Sequence, residues 1–213
     1  MARHVQHAPI ILASRSPRRK ALLQQAGLTF SVVFSSDEES ADSRLDPAAY
    51  VRFLAEKKAE GVAIRYPESW VIGADTIVVN DGKILEKPVS KDAAETMLRT
   101  LSGKTHSVFT GYAICNAASK RSVSDAVQTG VTFKPLTDPE IAWYASTPEP
   151  YDKAGAYAIQ GLGTFLVKRI NGSYTCVVGL PVCEVMDFLI KEKIIEMAAD
   201  TPWTPPTPQS SIN

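Results

Sequence analysis

Residues 10–27, IILASRSPRRKALLQQAG, decide the fold class. Residues 10–13 are a short apolar run that is typical of a buried strand. Ser16 and Pro17 follow as the N-cap and the first residue of a helix, and Gly27 is the residue type that best tolerates the left-handed conformation at a helix end. The folded region therefore opens with a strand, a tight turn and a helix.

Strands and helices continue to alternate through the first half of the chain. Residues 30–34 are predicted as a second strand, and Pro47 at a first-turn position opens a helix that reaches residue 65. The next strand begins at Trp70 and continues into a hairpin whose turn is residues 80–82, NDG. A further helix is predicted over residues 92–101.

Long strands dominate the middle of the chain. Residues 105–134 alternate well enough to give two strands, and helices are expected after Asp138 and after Pro181. Asn171 and Gly172 stand between two apolar runs, so we predict that they form the turn of a second hairpin. The pattern as a whole predicts an α/β protein with a mixed, twisted sheet flanked by helices.

The composition is that of an ordinary folded protein. The chain has 213 residues, 45% of them hydrophobic, and its 23 Lys and Arg residues balance 23 Asp and Glu residues. These values exclude a disordered chain, a collagen and a coiled coil, and the length suits one domain. We expect a flexible N-terminus over residues 1–9, a single domain over residues 10–195 and a Pro-rich, disordered tail over residues 196–213.

Charge and cysteine content limit the partners and the compartment. A net charge of zero removes the usual reason to expect a nucleic-acid-coating or membrane-surface protein. No stretch approaches the roughly 18–20 apolar residues that a membrane span needs. The three cysteines include no CxxC pair, which suggests a reducing compartment. The sequence therefore predicts a soluble, cytoplasmic protein without nucleic-acid or membrane partners.

Residues 14–20, SRSPRRK, place four cations on the loop and first turn of the first helix. The N-terminus of a helix already carries about half a positive charge, so each such cation costs on the order of 0.3–1 kcal/mol. An anion bound at the exposed N–H groups, most naturally a phosphate, would explain the arrangement. Alternatively, the arginines extend into water or pair with acidic residues elsewhere. This segment alone leaves both explanations open.

Two further cations could reach a phosphate in a cleft, and one carboxylate could have a separate functional role. Lys58 falls within the apolar stripe of its helix, where its stem could snorkel or its ammonium could reach a phosphate in a neighbouring cleft. Asp75 interrupts an apolar strand, where a carboxylate destabilises the fold unless it is hydrogen-bonded, bound to metal or facing a cleft. Lys87 follows the NDG hairpin and either returns a cation to the same cleft or forms a surface ion pair.

Seven short motifs, in order along residues 10–189, resemble those of the Maf-like nucleotide pyrophosphatases. They are SRSPRR at 14–19, GADT at 73–76, EKP at 86–88, LSG at 101–103, DKAGAYAIQG at 152–161, NGSY at 171–174 and VGLP at 178–181. Each motif alone is weak, but seven in order are specific. The resemblance implies a nucleotide-sized cleft between two lobes of an α/β fold. It also implies metal-dependent hydrolysis of nucleoside triphosphates to a monophosphate and pyrophosphate.

The resemblance assigns roles to individual residues. Asp75 would be the catalytic base, and together with Glu39 it would bind or orient a divalent Mg or Mn ion and the attacking water. The residues that would bind the triphosphate are Ser14, Ser16, Arg18, Arg19, Lys58 and Lys87. Phosphoryl transfer depends on positioning and charge neutralisation more than on covalent chemistry, so cations around one or two carboxylates are sufficient.

Substrate choice follows from the same resemblance. Arg18, Thr76 and Gln160 match the specificity positions of the branch that acts on dTTP and UTP, and modified pyrimidine triphosphates are expected as further substrates. The Gln160 amide offers a donor and an acceptor to the imide edge of uracil or thymine. The alternatives are a pyrophosphatase for 7-methyl-GTP or purine triphosphates, and a nucleotide-binding regulator of cell division with incidental hydrolysis. Association into a homodimer is left open.

Overall fold

The computed structural model describes residues 4–34 and 45–197. The strands are β1 (His4–Gln6), β2 (Ile10–Leu12), β3 (Ser31–Val32), β4 (Trp70–Asn80), β5 (Lys83–Leu85), β6 (Thr105–Asn116), β7 (Arg121–Phe133), β8 (Val167–Asn171) and β9 (Ile195–Met197). The α-helices are α1 (Pro17–Gln25), α2 (Pro47–Ala63), α3 (Lys91–Leu101), α4 (Asp138–Ala145), α5 (Tyr174–Val178) and α6 (Val182–Lys191). None of the helices in these ranges is long and apolar enough to cross a membrane.

Seven of the strands form one mixed sheet in the order β3-β2-β4-β6-β7-β8, with β5 paired to β4 as well. Strands β3, β2 and β4 run parallel, whereas β4, β6, β7 and β8 pair antiparallel. This arrangement confirms the predicted mixed α/β class. The NDG hairpin is also confirmed: β4 and β5 pair antiparallel around Asp81 and Gly82, both with positive φ, which suits a two-residue hairpin turn.

Most helix boundaries follow the predicted capping signals. The Ser16 side chain accepts a hydrogen bond from the backbone N–H of Arg19, and Pro17 is the first residue of α1, as expected. Asp46 caps α2 through the N–H groups of Ala48 and Ala49. These local bonds occupy backbone donors that no residue inside the helix can satisfy.

The predicted hairpin at Asn171 and Gly172 is wrong. The chain leaves β8 at Asn171 and enters α5 two residues after Gly172. The Ser173 hydroxyl accepts a hydrogen bond from the N–H of Cys176, and Thr129 of β7 holds the Ser173 backbone through two further bonds. A serine cap therefore starts a short helix where the β-branched residues that follow favoured a strand.

The two ends of the described part of the chain pair with each other. Strand β1, which the sequence placed within the flexible N-terminus of residues 1–9, pairs antiparallel with β9, where the domain was expected to give way to the tail.

The second predicted strand, residues 30–34, is shorter in the structure and covers only Ser31–Val32. The rest of the predicted tail, residues 198–213, lies outside the described residues.

Three apolar clusters surround the sheet. Side chains of a strand alternate between its faces, so Ile72 and Val78 of β4 share one face and Val71 lies on the other. On the first face, Ile72 belongs to a cluster with residues of α1 and α6, and Val78 to a cluster with residues of α3 and α4. Val71 packs on the opposite face against α2.

Helix α2 lies unusually close to the sheet because two strand positions beneath it are glycine. A Cβ atom on Gly111 of β6 would lie 2.3 Å from the carbonyl of Val51, and one on Gly73 of β4 would lie 2.3 Å from the carbonyl oxygen of Ala55. Ordinary contacts of this kind begin near 3.4 Å. The missing side chains therefore bring α2, and with it Lys58, directly onto the strand that carries Asp75.

Candidate active site

A cavity opens where one edge of β4 has no strand beside it. Strand β2 pairs with β4 only at residues 70–72, and β5 pairs with it only at residues 78–80. Within the described ranges, residues 73–77 have no strand partner on this side. A cavity of about 520 Å³ lies here, and both Asp75 and Thr76 line it although they belong to opposite faces of the strand.

The structure brings nine of the ten predicted site residues to this cavity. They are Ser14, Ser16, Arg18, Arg19, Lys58, Asp75, Thr76, Lys87 and Gln160. The tenth, Glu39, lies outside the described residues. Residues from the β2–α1 loop, α2, β4, the segment after β5 and the segment before β8 thus meet around one opening.

The cavity carries an excess of positive charge. In the part of the chain that the structure describes, the cations that line it are Arg15, Arg18, Arg19, Lys58, Lys87 and Lys153, and the carboxylates are Asp75 and Asp152. A concave surface lined by charges of one sign concentrates ligands of the opposite sign. The cavity is therefore suited to a small polyanion.

Lys58 and Asp75 form an ion pair at the wall of the cavity. Their Nζ and Oδ1 atoms lie 2.5 Å apart, and the two side chains are 25% and 18% exposed. The lysine projects from α2 at the point where Gly73 and Gly111 let that helix touch the sheet. The pair fixes the orientation of the carboxylate, and the snorkelling alternative for Lys58 is replaced by a specific contact.

Arg19 connects three separate parts of the chain. Its Nε donates to the carbonyl oxygen of Gly179 at 2.7 Å, and its Nη1 and Nη2 donate to the hydroxyls of Ser14 and Thr76 at 3.1 and 3.2 Å. Burial lowers the pKa of Arg19 from its ordinary value, and the nearby Asp75 carboxylate opposes that shift. Three of its five N–H groups are thus used to hold the cavity wall together.

Thr76 is the next member of the same network. Its hydroxyl lies 2.9 Å from that of Thr110 on β6, and the Thr110 hydroxyl donates to the carbonyl oxygen of Cys176 in α5. The GADT and VGLP motifs, about a hundred residues apart in sequence, are therefore connected through Arg19 and Thr76. Thr76 has a structural function in addition to lining the cavity.

Arg18 pairs with an acid from the DKAGAYAIQG motif, one of the two alternatives for the basic loop. Its Nη1 lies 3.1 Å from Oδ2 of Asp152, whose Oδ1 accepts from Lys153 at 2.5 Å. Burial alone would raise the pKa of Asp152. The hydrogen bonds and charges of Lys153 and Arg18 nevertheless hold it below its ordinary value. Asp152 is therefore an ionised carboxylate that orients Arg18 at the cavity.

Lys87 and Gln160 present side chains without partners among residues 4–34 and 45–197. Lys87 is exposed and forms no ion pair with another residue in those ranges, so the predicted surface pair is absent there. The Gln160 amide likewise has no hydrogen-bond partner in them. Both side chains line the cavity and can bind a ligand without first breaking a contact to the described protein.

Sequence reasoning assigned no individual site role to several charged or aromatic residues that line the cavity. Asp152 and Lys153 stand at the start of the DKAGAYAIQG motif, so the motif itself could have indicated them. Arg15 and Phe34 stack at the cavity, with the Arg15 guanidinium carbon 4.3 Å from the centre of the Phe34 ring. No local pattern indicates that stacking, because Phe34 reaches the cavity only through the pairing of β3 with β2.

The donor set of the cavity fits a metal ion that the substrate helps to bind. Within the described residues, no group of three or more His, Cys, Asp or Glu side chains could hold a metal ion. Asp75 and Asp152 both line the cavity, where Asp75 is paired with Lys58 and Asp152 with two cations, Arg18 and Lys153. Magnesium is commonly bound through one or two carboxylates, water and substrate phosphates. Asp75 meets that requirement.

The mixed sheet and its cation-lined cavity define an α/β protein built to hold a small polyanion. The sequence profile of the Maf-like protein family matches residues 9–192, and the chain belongs to that family. The match covers every described residue of the cavity.

Relatives named dTTP/UTP pyrophosphatase are similar to the chain over most of its length. It is 50% identical to the dTTP/UTP pyrophosphatase of Geobacter sulfurreducens over 180 residues, which are 84% of this chain and 94% of the relative. It is 49% identical to that of Geotalea uraniireducens, covering 88% of this chain and 96% of the relative. The dTTP/UTP pyrophosphatase of Syntrophus aciditrophicus is 44% identical, and the match covers 84% of this chain and 88% of the relative.

Proposed function

We propose that this protein is a nucleoside triphosphate pyrophosphatase that hydrolyses dTTP and UTP to the nucleoside monophosphate and pyrophosphate. The observation that carries the proposal is a cavity that six cationic side chains line together with Asp75. The names of relatives that match most of the chain support the same reaction. Modified pyrimidine triphosphates are included as substrates. A cytoplasmic location is part of the proposal, and the three free cysteines support it.

The cavity is the nucleotide cleft in this proposal, within a single domain over residues 10–195. The apolar clusters around Ile72 and Val78 would be the cores of two lobes on either side of it. A volume of about 520 Å³ supports this, because pockets for small ligands usually measure about 300–1,000 Å³.

Asp75 is the proposed general base. It accepts a proton from a water molecule whose oxygen attacks the α-phosphorus. The bond from that phosphorus to the bridging oxygen breaks, and pyrophosphate leaves. Lys58 holds the Asp75 carboxylate in place, and since an ammonium group has three donors it can also contact a phosphate oxygen.

Positive charge stabilises the reacting phosphates. Arg18, Arg19 and Lys87 bind the triphosphate, together with Ser14 and Ser16 at the start of α1. A divalent cation, magnesium or manganese, held by Asp75 and Glu39, would neutralise phosphate charge when bound.

Base recognition is assigned to the side of the cavity that carries Gln160. Its amide can donate to one group and accept from another on the imide edge of uracil or thymine. Arg18 and Thr76 are the other proposed specificity residues, and both belong to hydrogen-bond networks that fix the cavity wall.

A panel of nucleoside triphosphates, assayed for pyrophosphate release with magnesium or manganese, tests the proposal. Wild-type protein should prefer UTP and dTTP, and Asp75→Asn should abolish that activity. Asp81→Asn is the matched control, because Asp81 is an exposed carboxylate in the turn after the same strand and its positive φ suits asparagine. It should behave like wild type.

Other results of the panel would reject the proposal. Equal turnover by wild type and Asp75→Asn would exclude Asp75 as the base. Preference for purine or 7-methylguanine triphosphates would move the protein to a different substrate class. Tight nucleotide binding with far less than about one turnover per second would indicate a nucleotide-binding regulator.

A further inference from the structure

Two residues outside the cavity hold the Gln160 segment in place. Tyr144 is fully buried in α4, and Glu149 opens the 3₁₀ turn that follows. The hydroxyl of Tyr144 donates to Oε1 of Glu149 at 2.7 Å. Neither side chain lines the cavity. They are therefore placed to act on a ligand only through the residues that they hold.

The pair contacts the chain on both sides of Gln160. Before it, the Tyr144 hydroxyl accepts a hydrogen bond from the N–H of Ala158 at 3.2 Å. After it, the Glu149 carboxylate accepts from the N–H groups of Leu162 and Gly163 at 3.0 and 2.8 Å. The turn that carries Gln160 is thus fastened at both ends to one connected pair of side chains.

The backbone of this turn is shaped to admit the pair. A Cβ atom on Gly163 would lie 2.7 Å from the Tyr144 hydroxyl oxygen and 2.3 Å from the carbonyl oxygen of Ala158. A Cβ atom on Gly161 would lie 2.4 Å from Oε2 of Glu149. Larger residues at either glycine would displace the hydroxyl or the carboxylate from the N–H groups that it binds.

The electrostatics of the pair favour an ionised carboxylate and a neutral phenol. Burial would raise the pKa of Glu149, but the hydrogen bonds from Tyr144, Leu162 and Gly163 hold it below its ordinary value. Burial and the neighbouring carboxylate raise the pKa of Tyr144. Tyr144 therefore stays protonated and donates a hydrogen bond to Glu149. Its hydroxyl oxygen can at the same time accept a hydrogen bond from the N–H of Ala158.

We infer that Tyr144 and Glu149 are positioning residues for base selection: they fix the turn that presents the Gln160 amide to the nucleobase. This inference rests on the proposed function. A carboxamide discriminates between bases only when its donor and acceptor are held in register with the base edge, so loosening the turn should weaken discrimination more than it weakens phosphate chemistry.

The test compares the kcat/KM for UTP with that for CTP, which differs from UTP at the base edge. Tyr144→Phe removes the hydroxyl. Glu149→Gln replaces one carboxylate oxygen by an N–H₂ group, so either Leu162 or Gly163 loses the acceptor for its backbone N–H. Each variant should lower the UTP-to-CTP ratio by about fivefold to tenfold, the usual worth of one such hydrogen bond. In a Gln160→Ala background, neither change should lower the ratio further, because residues that act through one group are not additive.

Tyr151→Phe is the matched control. The Tyr151 hydroxyl donates to the carbonyl oxygen of Ala145 at 2.7 Å, and this tyrosine neither lines the cavity nor contacts the Gln160 turn by a hydrogen bond. It should reduce thermal stability as Tyr144→Phe does, yet leave the UTP-to-CTP ratio unchanged. Equal ratios in Tyr144→Phe, Glu149→Gln and Tyr151→Phe would overturn the inference.

Amide hydrogen exchange separates this inference from the proposed function. In both variants, exchange in a peptide that covers residues 158–163 should become roughly tenfold faster than in Tyr151→Phe, whether or not the protein hydrolyses nucleotides. Unchanged exchange would overturn the inference even if the enzyme is active. Faster exchange in a protein without pyrophosphatase activity would reject the proposed function and leave the turn-holding role standing.

Discussion

The close approach of α2 to the sheet makes Gly111→Ala a severe substitution for one added methyl group. The new Cβ atom would lie 2.3 Å from the carbonyl carbon and oxygen of Val51, and an ordinary contact begins near 3.4 Å, so the helix must move by about 1 Å. Val51 is fully buried, which prevents the strain from being relieved at the surface. Overpacking of this kind typically destabilises a fold by about 1–3 kcal/mol.

The same displacement should reach the cavity through Lys58, which lies two helical turns beyond Val51. A 1 Å shift of α2 would lengthen the 2.5 Å contact between Lys58 and Asp75. Misplacement of a reacting group by about 1 Å can reduce activity roughly a hundredfold. We therefore expect Gly111→Ala to lower both the free energy of unfolding and the kcat for UTP.

Urea unfolding and UTP turnover of two variants check this reasoning. Gly130→Ala is the control, because Gly130 also lies in a strand but a Cβ atom there would meet nothing nearer than 3.8 Å. Its free energy of unfolding should equal that of wild type or exceed it by up to about 1 kcal/mol, as Gly→Ala changes do at compatible positions. The melting temperature of Gly111→Ala should fall by roughly 2–12 °C. If the two variants are equally stable and active, the close packing of α2 does not position Lys58.

Three further predictions concern single side chains. Thr76→Val removes the hydroxyl to which Arg19 donates, and it should lower the free energy of unfolding in urea by about 1–3 kcal/mol. A loss below about 0.5 kcal/mol, which is typical of surface substitutions, would contradict a structural role for Thr76. Lys87→Ala should raise the KM for UTP roughly tenfold in steady-state assays and leave the melting temperature unchanged, because Lys87 is exposed. Burial lowers the pKa of His106 to about 4, so the unfolded chain, with an ordinary pKa near 6.5, binds the proton first as pH falls. The free energy of unfolding should therefore fall by about 1–2 kcal/mol between pH 7 and pH 5. His106→Gln should remove most of that loss, and an unchanged pH dependence of stability in this variant would contradict the prediction.

The parts of the fold that sequence predicted correctly are those decided by neighbouring residues. Ser16 and Pro17 start α1 because a hydroxyl and a fixed φ act within one turn, and the NDG sequence makes its hairpin for equally local reasons. The hairpin predicted at Asn171 failed because the outcome depends on Thr129. That residue, more than forty positions earlier, holds Ser173 as a helix cap.

The candidate site also has some features that local sequence pattern predicts and others that depend on the complete fold. Asp75 and Lys58 could be identified because a carboxylate in an apolar strand and a lysine in an apolar stripe are anomalies of local pattern. The 2.5 Å contact between these two residues could not be predicted, since it requires α2 to rest on Gly111. Nothing near Gly111 in the sequence indicates that a helix packs against it. The ion pair of Arg18 with Asp152 spans 134 positions and likewise depends on the complete fold.

The two arginines of the SRSPRR motif, adjacent in sequence, have different functions in the structure. Arg19 commits three N–H groups to Gly179, Ser14 and Thr76, so it supplies charge and rigidity but few free donors. Among the described residues, Arg18 makes one side-chain hydrogen bond, to the exposed carboxylate of Asp152, and it can exchange that partner for a phosphate oxygen at little cost. A helix that begins with two arginines would be destabilised if both faced solvent at its positive end. Anchoring one arginine in the fold and leaving the other able to bind a polyanion resolves that conflict. Under the proposed function, we therefore expect substitution of Arg18 to weaken substrate affinity more, and substitution of Arg19 to reduce stability more.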